Sequence, residues 1–99
     1  MAQYDVYEAP GGGGLWLDVQ TDFIGGLNTR VVAPLQPVDV DYPPTGRLNP
    51  IFRVGDADYL LEPQMLAAVP ENILKSPIAN LCDHFAEVTA ALDLVFHGF

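Results

Sequence analysis

Nine prolines and nine glycines are placed so that every stretch ahead of Pro77 is soon interrupted, whereas residues 78–97 contain neither. A helix interior loses about 3 kcal/mol to proline and about 1 kcal/mol to glycine relative to alanine. The first three quarters of the chain is therefore confined to short strands and turns. The last quarter is free to form one long helix. Ser76 is a capping residue type, Pro77 suits a first helical position, and Ile78, Leu81, Phe85, Val88, Leu92 and Val95 follow at steps of three and four. This predicts an amphipathic helix of about twenty residues from Ser76, closed at His97 and Gly98, with Phe99 leaving its axis.

Upstream, "YDVY" at residues 4–7 and "LWLDVQ" at 15–20 flank "EAPGGGG", which reads as a loose hairpin loop. In "LWLDVQ" Leu15, Leu17 and Val19 alternate with Trp16, Asp18 and Gln20, the two-residue period of a half-buried strand. "GGLN" at 25–28 is a turn. "TRVVAPLQPV" at 29–38 is β-branched at its centre, but Pro34 and Pro37 each lack a backbone donor, which places it at a sheet edge or on a bulge. "DVDYPPTGRLNP" at 39–50 is loop or edge. "IFRVGDADYLL" at 51–61 is a β-hairpin turning at "GDAD", and "QMLAAVP" at 64–70 is a short apolar connection. Strands first and one helix last predict a single α+β domain over residues 1–99: a strongly curved antiparallel sheet with a long C-terminal helix.

The charge narrows the function. Four Lys and Arg against thirteen Asp and Glu give a formal net charge of -9, which repels phosphate backbones and anionic lipid. Direct nucleic-acid binding is disfavoured. A single cysteine, Cys82, fits a reducing compartment, and no basic-then-apolar leader or membrane-length apolar run is present, so the expected location is the cytoplasm.

Few residues are arranged for chemistry. His84 and His97 fall on different turns, and Cys82 and His84, two apart on a helix, point away from each other, so a shared metal is not expected; the plain reading is a packed thiol and a solvated imidazole. "DADY" at 56–59 matches half a calcium loop without its glycine or distal glutamate and reads as a hairpin turn. Asp83 and Glu87 read as a solvated helix face rather than an acid–base pair. Ser76, Thr21 and Thr89 lack a histidine and carboxylate at local spacing. Gly11 to Gly14 lack the Lys-Ser or Lys-Thr of a phosphate loop and read as a flexible connection. No catalytic residue and no cofactor is implied. Two apolar features remain: "DFIGG" at 22–26, where adjacent Phe23 and Ile24 cannot both face one core, and the bare terminal "HGF".

Four segments in order, "YDVY", "LDVQTDFIGGLNTRVVAPL" (17–35), "PIFRVGDADYLLEPQMLAAVP" (50–70) and "LDLVFHGF" (92–99), resemble the CcdB toxins of bacterial toxin–antitoxin modules. The resemblance implies a CcdB-type, SH3-like barrel that forms a homodimer and acts without catalysis. It implies binding to the A subunit of DNA gyrase, trapping of the enzyme on cleaved DNA, and reversal by the disordered tail of a CcdA-like antitoxin. Carried over by position, the gyrase-contacting residues are Phe23, Ile24, Asp93, His97, Gly98 and Phe99. The best-known members carry tryptophan where this chain has His97 and asparagine where it has Asp93. The resemblance also leaves room for a member that dimerises and binds antitoxin without poisoning gyrase, and for an endoribonuclease of related fold. Separately, the acid excess predicts an antitoxin tail richer in Lys and Arg than in Asp and Glu.

Overall fold

A computed structural model describes residues 2–24, 26–38 and 46–98. Seven strands form one antiparallel sheet: β1 Asp5–Glu8, β2 Leu15–Asp18, β3 Thr29–Pro37, β4 Ile51–Val54, β5 Ala57–Leu61, β6 Ala67–Pro70 and β7 Ala79–Asn80. Their order is β4-β5-β3-β2-β1-β7, with β6 also paired to β3. Among the described residues one α-helix, α1 (Phe85–His97), follows. The fold is the α+β arrangement expected from the sequence.

Both predicted hairpins are present. β1 and β2 pair with Val6 opposite Leu17 and Glu8 opposite Leu15, and the glycine loop between them closes through the Ala9 N–H to the Gly14 carbonyl. β4 and β5 pair with Val54 opposite Ala57, so only Gly55 and Asp56 make the turn, Gly55 taking the positive φ of 61° that such tight turns require. Ala57 and Asp58, expected in the turn, belong to β5.

β3 differs from expectation. Instead of lying at an edge it is the spine of the sheet, paired to β2 on one side and to β6 and then β5 on the other. The Pro34 carbonyl accepts the Glu62 N–H, so its nitrogen, which points the same way along a strand, faces the gap where β6 gives way to β5. Only the reciprocal bond to the Glu62 carbonyl, just past the end of β5, is forgone there. β6 itself was read as a mere connection; its pairing runs from Thr29 opposite Pro70 to Val32 opposite Ala67. Gly25 of the expected 25–28 turn and residues 39–45 of the expected 39–50 loop lie outside the described residues.

The helix is shorter than the periodicity predicts. Ala79 and Asn80 form β7 along β1, and the residues on either side bond to the same backbone: the Ile78 N–H donates to the Val6 carbonyl, the Leu81 N–H to the Tyr4 carbonyl, and the Asn80 amide to Asp5 Oδ1. Ser76 therefore caps nothing. A 3-10 turn at Cys82–His84 leads into α1 at Phe85. Periodicity continued through this strand because Leu81 is a core residue of the sheet and Val88 and Ala91 are core residues of the helix.

The apolar residues sort onto two faces. Val6, Leu15, Leu17, Ala33 and Leu35 join Phe52, Leu61, Leu81, Val88 and Ala91 in the main core beneath α1. On the opposite face Tyr7, Val32 and Leu74, with Trp16 and Val69 against them, make a smaller cluster. This second layer changes the fate of Asp18 and Gln20, expected to be solvated: both are buried.

Candidate functional site

The first half of the candidate site is a 3-10 turn, Asp22–Ile24, that follows β2. Phe23 is 96% exposed and Ile24 47%. The sequence argument required one of the two to leave the core, and both do. A phenyl ring this bare costs solubility unless something covers it.

Beneath this turn lies a polar network. Arg30, only 3% exposed, donates from Nε to Asp18 Oδ2 at 2.8 Å and from a terminal nitrogen to the Gln20 carbonyl at 3.3 Å. Asp18 Oδ1 accepts the Gln20 N–H at 3.0 Å, and Gln20 Oε1 accepts the Val31 N–H at 3.1 Å. With both carboxylate oxygens accepting, Asp18 is held as the anion. Burial pushes its carboxyl above the ordinary value, and the Arg30 and Gln20 bonds pull it back. The bond to Asp18 holds the Arg30 guanidinium above its ordinary value against the opposing effect of burial. The Gln20 side-chain nitrogen is buried without a partner.

The network reaches the turn through Asp22. Its Oδ1 accepts the Gln3 N–H at 2.9 Å and lies 3.6 Å from the Arg30 guanidinium, and the Phe23 N–H donates to Thr21 Oγ1 at 3.3 Å. Gln3 also donates from its side chain to the Val19 carbonyl. The neighbouring Tyr4 adopts a φ of 73°, unusual for a residue with a side chain, while its N–H donates to the Asp18 carbonyl and its carbonyl accepts from Leu81. Tyr7 is fully buried nearby, its hydroxyl donating to Asp5 at 3.4 Å; burial, with Asp5 and Asp18 adding to it, pushes its pKa up to about 12.

The second half is the end of α1, held instead by apolar packing of Val88 and Ala91. Asp93, Phe96 and His97 are exposed on its last turns, Phe96 at 62%. Gly98 closes the helix as the sequence predicts, with φ 79° and its N–H shared between the Asp93 and Leu94 carbonyls at 3.2 Å. Phe99 lies outside the described residues. The structure thus presents Phe23 and Ile24 on one turn and Asp93, His97 and Gly98 on one helix end. Residues 3–5 bond to the turn through Asp22 and to the segment that leads into α1 through Leu81 and Asn80.

The residues read for other chemistry stay apart. Among the described residues no group of three or more His, Cys, Asp or Glu is placed to hold a metal. Cys82 is exposed rather than packed, and His84 is half-buried rather than solvated, its ring 5.0 Å from that of Phe52 and its Nδ1 3.2 Å from Glu87. Of the four cations, Arg30 is committed inside the sheet and Arg53 pairs with Asp58 at 3.4 Å on the surface. No helix among the described residues is long and apolar enough to cross a membrane.

A model of the protein family described as CcdB protein matches residues 3–98. The chain belongs to the CcdB family. That makes it a toxin of a toxin–antitoxin module. Solved structures similar to this CcdB-family chain include an endoribonuclease in complex with its cognate antitoxin from a mycobacterial species, at 13% identity and TM-score 0.78, covering 97% of this chain and 94% of that one. An endoribonuclease from a mycobacterial species superposes at TM-score 0.79 and 12% identity, covering 97% and 90%. At these identities the likeness is one of fold.

Sequence reasoning missed Arg30, Asp22, Gln3 and Phe96. The available signal for the first was an isolated arginine in a β-branched run, following a strand whose polar face carried Asp18 and Gln20.

Proposed function

We propose that this CcdB-family toxin acts by binding. Two copies pair, and the dimer presents Phe23, Ile24, Asp93, His97, Gly98 and Phe99 to the A subunit of DNA gyrase in the cytoplasm. Gyrase is held on cleaved DNA, and the disordered tail of a CcdA-like antitoxin reverses the arrest. The observation that carries this reading is Phe23, almost wholly bare yet set on a turn fixed by side-chain bonds between Asp22 and the Gln3 N–H and between Thr21 and the Phe23 N–H. Aromatic anchors of this kind dominate binding energy when a partner encloses them. RNA cleavage is disfavoured because the few cations are dispersed, one of them buried against Asp18, on a chain of net charge -9.

A second reading, a member that dimerises and binds antitoxin but spares gyrase, is favoured by His97. An imidazole stacks on an arginine less well than tryptophan. Inducible expression in a bacterium whose gyrase A can be replaced by a variant altered at the dimer arch tests both. Arrest that disappears with the variant supports poisoning, and no arrest with either gyrase supports the second reading. Arrest indifferent to the gyrase allele, together with RNA cleavage by the purified protein, would sink both. Deleting residues 97–99 should abolish arrest while leaving the dimer folded; undiminished toxicity would remove the helix end from the contact.

A further inference from the structure

We propose that Asp22 and Arg30 are positioning residues for the Phe23–Ile24 contact, fixing the turn to the sheet so that the ring is presented before any partner arrives. The inference rests on the gyrase reading but names residues that touch no partner in it. Three observations carry it. Arg30 is nailed in place by Asp18 and the Gln20 carbonyl, so its free direction is fixed. That direction leads to Asp22, the residue immediately before Phe23, at 3.6 Å. The same Asp22 oxygen accepts the Gln3 N–H at 2.9 Å, so one atom ties the turn to the backbone ahead of β1 and faces the side chain of Arg30 on β3.

The reason for such a clamp is entropic. A large side chain on a loose turn must be ordered on binding, and that ordering cost subtracts from affinity; a turn ordered in advance avoids it. The Asp22 side chain is itself 61% exposed, so its contribution to global stability is small while its contribution to the local geometry is not. Arg30 is a poor probe, because its loss would leave Asp18 buried and unpaired. Asp22 is the residue to change.

Binding of the full-length protein to purified gyrase A subunit should weaken about tenfold in Asp22→Ala, which loses the Gln3 hydrogen bond and the Arg30 ion contact, and about threefold in Asp22→Asn, which keeps an acceptor for the Gln3 N–H. The melting temperature should stay close to that of the parent in both. A merely structural role is separated by a double-mutant cycle: in a Phe23→Ala background, Asp22→Ala should cost nothing more. Unchanged affinity in Asp22→Ala, or full additivity in the cycle, would overturn the proposal. If the parent protein does not bind gyrase A at all, the gyrase reading fails separately, and amide hydrogen exchange then decides the clamp. Exchange at Phe23 and Ile24 about tenfold faster in Asp22→Ala supports it, and equal rates overturn it.

Discussion

The two halves of the candidate surface are held up by opposite kinds of physics. The Asp22–Ile24 turn stands on a buried ion pair and a chain of hydrogen bonds, whereas the end of α1 stands on Val88 and Ala91 packed into an apolar core. Apolar packing is graded, since each lost methylene costs a little. A buried ion pair is closer to all or nothing, because removing one partner strands the other in a medium that cannot solvate it. The turn half should therefore fail abruptly and the helix half gradually.

The sharpest way to break this contrast is Arg30→Met, which leaves Asp18 unpaired; chemical denaturation should show a loss of about 3–5 kcal/mol. A loss under about 1 kcal/mol would show that the network does not hold the turn half. Val88→Ala should cost about 2 kcal/mol by the same measurement, and the exchange rates at Phe23 should not follow it. The network also carries a pH signature. Tyr7 is neutral in the fold until about pH 12 but ionises near pH 10 when unfolded, so its contribution is fully present below pH 10 and is lost as pH rises towards 12. At pH 11 the loss is about 1.4 kcal/mol, and Tyr7→Phe should flatten that part of the stability–pH curve. Gly98→Ala forces a side chain into φ 79° and should cost about 1 kcal/mol, seen as fraying of the last turn of α1 by amide exchange. Phe23→Ser should change stability by less than about 0.5 kcal/mol, yet abolish growth arrest.

The same contrast explains what was legible in the sequence. Apolar periodicity and turn chemistry are local signals, so the two hairpins, the Gly98 stop and the bare Phe23 could be read from residues close together. Asp18 and Arg30 meet across twelve residues of chain, and nothing in either segment alone says that a second cluster around Tyr7 and Leu74 will cover them. A two-residue alternation reports which face a side chain takes, not whether that face meets water. The helix start was misplaced for a related reason. Ile78 and Leu81 fit the helical spacing, but the backbone of β1 offered the Val6 and Tyr4 carbonyls to the same residues, and strand pairing took them. Pro34 sits inside the sheet rather than at its edge because its missing donor falls where β6 gives way to β5 and the pairing on that side is already interrupted.

Residues 3–5 are bonded both to the Asp22 turn and to the segment leading into α1, with Tyr4 held at φ 73°. This short piece of chain acts as a keystone. Affinity tags, fluorophores or reporter fusions placed against it would load the turn and the start of α1 together, and a toxin silenced by its own label would be mistaken for an inactive one. Labels are better carried on Asp56, exposed in the β4–β5 turn and remote in sequence from these bonds.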